Sequence, residues 1–107
     1  MEERSDDRAM IAAVERDDVA CLRALWGGPL SAADARRRQR LARLLRASLE
    51  RASVQCVREI ISGDASIVMN EYDGNPGVLD DAMAQAEFED NPRWLDILLR
   101  GGMAADY

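Results

Sequence analysis

The sequence predicts an all-α fold: a short solenoid of about three helix pairs, with a six-helix bundle as the alternative. Three observations predict it. Apolar residues recur at helical spacing along most of the 107 residues. Glycines, prolines and acidic residues cut that pattern into six segments. Three of the segments also share one register. Val19, Leu22, Leu25 and Gly28 follow each other three residues apart, as do Val54, Val57, Ile60 and Gly63; Leu95, Leu98 and Gly101 continue the rule behind Pro92. The glycines are 35 and then 38 residues apart. Such a period marks stacked helix–turn–helix units, here about 5–30, 31–77 and 78–104 of a single domain spanning 1–107.

The elements follow in order. Ser5 is placed to cap a first helix whose opening Asp6 and Asp7 suit the positive end of its dipole, and which runs through Met10, Ala13 and Val14 to about Arg16. Asp17-Asp18 caps a second helix with Val19, Leu22, Leu25 and Trp26 on one face, and Gly27-Gly28-Pro29 stops it. Ser31, with Asp34 three residues on, resembles a capping box ahead of a long third helix. Its apolar stripe is Leu41, Leu44, Leu45, Ser48, Leu49 and Ala52, and it ends near Arg51. Val54, Val57, Ile60 and Ile61 mark a fourth helix closed by Gly63. Residues 64–77 read as an extended loop, with some β character at Ile67-Val68-Met69 and dense turn chemistry from Asp73 to Gly77. A fifth helix spans about Val78 to Glu89, and Pro92 opens a sixth carrying Leu95, Leu98 and Leu99.

Composition narrows the function. The chain has no His, so His-based acid–base catalysis and the common zinc sites are excluded. No nucleophile–base pair, metal-ligand spacing or phosphate loop is present, and a non-enzymatic protein without cofactor, metal or catalytic residues is expected. The opening Met1-Glu2-Glu3-Arg4-Ser5 is too charged for a secretory signal, and no apolar run is long enough for a membrane span. A cytoplasmic protein with no membrane partner is therefore expected, with Cys21 and Cys56 as thiols. The two share one register in adjacent units. Stacked helices pack about 8–10 Å apart, beyond the roughly 7 Å reach of a disulfide, so they should be unlinked. All 14 basic residues are Arg, and charge is banded: net −3 over residues 1–30, +6 over 31–58 and −9 over 59–107.

The second-helix pattern Val-x-x-Leu-x-x-Leu-x-x-Gly resembles the ankyrin repeat family. So does the stretch from Gly63-Asp64-Ala65 to Asp73-Gly74-Asn75-Pro76, which looks like a finger between units. The small residues Ala13, Ser48 and Ala86 on the first helices fit as well. The Thr-Pro-Leu-His tetrapeptide of that family is missing, and Gly28-Pro29-Leu30 leaves little room for a finger between units one and two. The resemblance implies protein–protein recognition, with first helices lining a concave face and fingers projecting beside it. It also implies a dedicated small adaptor or inhibitor of bacterial type.

Three groups of residues are candidates for contact. Arg36, Arg40, Arg43 and Arg51 fall within about an 80° arc of the third helix, opposite Leu41, Leu45 and Leu49. Guanidinium forks match carboxylates and phosphates, so this arc suits an acidic protein or nucleic acid; a plain solvated face is the simpler reading. On the concave face that the resemblance implies, Arg8, Arg43 and Asp81 lie side by side. The resemblance also makes Tyr72, Asp73 and Asn75 finger residues. Asp80 and Asp81 belong to the acidic last third, which suits helix-dipole complementation or the face of a nucleic-acid mimic. The expected function is stoichiometric inhibition of another protein, such as a toxin or effector, by an immunity protein. Alternatives are a phage-type inhibitor that mimics nucleic-acid charge against a CRISPR-like defence complex, nucleic-acid binding through the Arg-rich helix 36–51, and self-association through exposed end units.

Overall fold

A computed structural model of the chain describes residues 2–31, 34–63, 67 and 77–101, with side chains from Asp7 onward. Among the described residues there are six helices and no strand: α1 (Glu2–Glu15), α2 (Val19–Trp26), α3 (Ala35–Glu50), α4 (Val54–Gly63), α5 (Val78–Phe88) and α6 (Arg93–Arg100). The all-α class is as expected. None of these helices is long and apolar enough to cross a membrane.

Several boundaries differ from the expectation for local reasons. Ser5 lies inside α1 rather than capping it, because Glu2 and Glu3 are themselves good first-turn residues. The N-cap of α3 is Asp34, whose carboxylate accepts from the Arg37 amide at 2.8 Å, so Ser31 caps nothing. The Ser31 carbonyl instead accepts from the indole N–H of buried Trp26 at 3.0 Å, which ties the α2–α3 connection to the core. Pro92 sits at the N-cap of α6, one residue ahead of its first turn. Ile67 is buried, but the β reading of 67–69 and the turn at 73–77 lie largely outside the described residues. As expected, Asp18 caps α2 by accepting from the Cys21 amide at 3.1 Å, and left-handed Gly27 ends it.

The helices pair in chain order, α1 on α2, α3 on α4 and α5 on α6. The first helices touch in the row α1–α3–α5 and the second helices in the row α2–α4–α6. One apolar core runs through the three pairs, from Met10 and Leu22 through Leu45 and Val57 to Ala82 and Leu98. The stripe expected on α3 is buried as far as Leu49, whereas Ala52 is exposed in the turn that follows.

The turn inside each pair repeats in backbone detail. Asp17, Ala52 and Asp90 all have left-handed backbone, with φ of 52°, 57° and 52°. They are spaced like the glycines. In the first pair the Asp18 amide donates to Ala13 and the Asp17 amide to Val14. In the second, Ser53 donates to Ser48 and Ala52 to Leu49. Both are Schellman closures. The third differs, since the Asn91 amide reaches back to Gln85.

Neighbouring pairs are joined by three kinds of contact. Asp17 reaches into the second pair, where its carboxylate accepts from the Cys56 amide at 3.0 Å and the Gln55 amide at 3.4 Å, so the N-terminus of α4 is capped from the first pair. The buried Ser53 hydroxyl donates to the Val14 carbonyl. Gly63 lies so close to the Leu30 backbone that a Cβ there would clash with the Leu30 carbonyl.

Charge follows the layers. α1 has five acids and two Arg, α3 has six Arg and one Glu, and α5 has three acids and no base. The first-helix row therefore reads −3, +5, −3. Ion pairs cross both junctions: Arg40 to Asp7 at 2.9 Å and Arg51 to Glu15 at 3.4 Å on one side, and Arg46 to Asp81 on the other.

Candidate functional site

Among the described residues, two adjoining clefts lie between α1 and α3 and a third hollow lies along α1. The spacing of Arg36, Gln39, Arg40 and Arg43 places them on one face of α3, where they line a cleft of about 210 Å³ with Asp7 of α1. A second cleft of about 180 Å³ adjoins it, floored by Met10, Ile11 and Leu44 and walled by Asp7, Arg40 and Arg43. A shallower hollow continues along α1 past Arg8, Ile11 and Glu15. Asp7 borders all three, so they form one groove with an apolar floor and a charged rim.

The rim is unevenly charged. Arg40 is held by Asp7, with its side chain 23% exposed, and its Nε is buried without a hydrogen-bond partner. Arg36 and Arg43 stand exposed at the mouth. Among the described residues, three arginines and one carboxylate line the first cleft. A carboxylate suits these planar forks, and an apolar side chain suits the floor beside them.

Of the residues expected to make contact, Arg36, Arg40 and Arg43 converge on the first cleft, and Arg8 lines the neighbouring hollow. Arg8, Arg43 and Asp81 lie at matching register positions on α1, α3 and α5. Asp81 pairs with Arg46 across the α3–α5 junction, which gives it a structural role, and Arg46 also lies 5.8 Å from the centre of the Trp94 ring. Asp80 lies on α5 away from the groove, exposed. Tyr72, Asp73 and Asn75 lie outside the described residues. Arg51, at the end of α3, pairs with Glu15 and Glu50.

Sequence reasoning missed Asp7, Met10, Ile11 and Leu44. Helical periodicity assigns Met10 and Leu44 to the core, and only the pairing of α1 with α3 shows that they also floor a cleft. Arg37 was covered only as part of the Arg-rich helix. It donates to the Trp26 carbonyl at 3.0 Å and lies 4.8 Å from that indole ring, closing the end of α2.

Both cysteines are free thiols. Burial pushes the Cys56 thiol up to about 12, helped by its hydrogen bond to Asp17 and the charges of Asp17, Asp18 and Glu59. A thiol held protonated in this way is a poor nucleophile. No family model, curated protein or solved structure matches the chain.

Proposed function

We propose that this chain is a binding module that acts as a stoichiometric inhibitor of another protein, of the toxin- or effector-neutralising kind, and that it binds through the α1–α3 groove. In this reading the three helix pairs are a short ankyrin-like solenoid and the first-helix row is its recognition face. The observation that carries it is the groove, where Arg40 and Arg43 wall a floor of Met10, Ile11 and Leu44 and Arg36 lines the adjoining cleft. The matching partner offers a carboxylate next to an apolar side chain. The repeated left-handed turns and the ordered packing of first on first and second on second helices support the solenoid.

Nucleic acid is the competing ligand for an Arg-rich helix. Arginines of α3 and its C-cap are engaged inside the chain, among them Arg37 at Trp26, Arg40 at Asp7, Arg46 at Asp81 and Arg51 at Glu15. The helix is flanked by the acidic α1 and α5, which favours a patterned protein surface over a uniform polyanion.

The test is affinity capture from a lysate of the source organism, run with and without nuclease treatment. Wild type is compared with Arg36→Glu/Arg43→Glu, which spares the Arg40–Asp7 pair. One protein recovered in near-equal amount with wild type and lost with the variant supports the reading. Recovery of nucleic acid, or equal recovery by both proteins, overturns it.

A further inference from the structure

The outer face of the third helix pair exposes two apolar residues, Met83 and Leu99, whose counterparts the other two pairs bury. The spacings of 35 and 38 residues, marked by the three left-handed turns, match each residue of one pair to its counterparts in the others. Met83 corresponds to Leu45 and Met10, which are 0% and 3% exposed, yet Met83 is 52% exposed. Leu99 corresponds to Ile61 and Trp26, each 6% exposed, yet it is 42% exposed. Asp80 corresponds to Asp7, which takes Arg40 from the next layer; Asp80 itself is exposed and has no ion pair among the described residues. Phe88 corresponds to Glu15, which takes Arg51 from the next layer, and is 80% exposed. In α5, Asp80, Met83 and Glu87 form a single stripe at positions i, i+3 and i+7.

We infer that this face is a second docking surface, built to receive a basic amphipathic helix of another protein as a further layer of the stack. Continuity with the two junctions inside the chain argues for it. At the first junction α3 covers Met10 and pairs its Arg40 with Asp7, and Met83 and Asp80 present the same apolar-and-acidic combination again. Charge decides the occupant. The layers alternate −3, +5, −3, so the next layer is basic. A second copy has no such layer to offer, because its α3 already lies between α1 and α5 and both of its ends are acidic. Residues 64–76 and 102–107 contain no Arg. This surface is separate from the α1–α3 groove and stands or falls independently of it.

The probe is a synthetic peptide with the sequence of residues 35–51, the one helix known to fit this pattern, added to the full chain. Binding is followed by the NMR signals of Met83, Phe88 and Leu99. The expected result is saturable shifts at these three residues. A control peptide with every Arg replaced by Glu produces none. Asp80→Arg weakens binding at least tenfold with an unchanged melting temperature. Met83→Asp also weakens binding, although it adds negative charge, which separates a fitted surface from general attraction. Arg36→Glu/Arg43→Glu leaves peptide binding in place while disabling the groove, so failure of one proposal is distinguishable from failure of the other. Shifts centred on the α1–α3 groove would overturn the inference. So would unchanged affinity in the Asp80 and Met83 variants, or dimerisation of the chain alone that Met83→Asp abolishes.

Discussion

Ala52 occupies a backbone conformation that alanine tolerates poorly. Its φ of 57° closes the turn between α3 and α4, where an L-residue with a Cβ costs about 1–2 kcal/mol. Asp17 and Asp90 hold the same place in the other pairs, and Asp accepts left-handed backbone more readily. Ala52→Gly should therefore stabilise the chain by about 0.5–1 kcal/mol, with the greater freedom of the unfolded glycine offsetting part of the relief. Thermal unfolding checks this, and a lower midpoint would count against the turn as described. Cys56 makes a second prediction. Its thiol is raised from 9.0 to about 12 in the folded chain. The folded state then keeps a proton that the unfolded chain releases, so stability is intact below about pH 9 and falls as pH rises towards 12. Replacing Cys56 with Ala should lessen that alkaline loss in denaturant titrations at pH 8 and 10. In the native protein a thiol reagent should modify half-buried Cys21 well before buried Cys56.

Most of the six helices were legible in the sequence because their signals are local. The Asp18 cap, the Gly27 stop and the leucine stripe of α3 each act within a few residues, and each appears where periodicity and capping place it. The start of α3 was misread because Ser31 and Asp34 both suit a cap, and the indole of Trp26 takes the Ser31 carbonyl. The cap of α4 was not legible at all. Its donors, Gln55 and Cys56, are served by Asp17, which lies 38 and 39 residues away in sequence and is brought close only when the pairs stack. Asp17→Ala should cost about 1–2 kcal/mol, since it uncaps α4 and puts alanine at a left-handed position. Asp17→Asn keeps both an acceptor and left-handed tolerance and should cost less. Equal losses in the two variants, measured by chemical denaturation, would show that the cap contributes little.

Across the whole molecule, charged layers alternate along the first helices, above the apolar core that holds the pairs together. The banding was visible in the sequence, but its use was not. The Arg arc read as one binding face divides in the structure. Arg40, Arg46 and Arg51 join layers, while Arg36 and Arg43 border the groove. The groove's apolar floor was hidden because the pattern that buries Met10 also exposes its edge to the cleft, and only tertiary packing distinguishes the two. The central claim is that this groove grips another protein. A photo-crosslinking residue at Gln39, which lines the groove, tests it most directly in cells of the source organism, beside a control at exposed Ala20 on α2. The account predicts one dominant protein adduct from position 39, absent from position 20 and lost with Arg36→Glu/Arg43→Glu. Equal adducts from both positions, or crosslinks to nucleic acid alone, would contradict it.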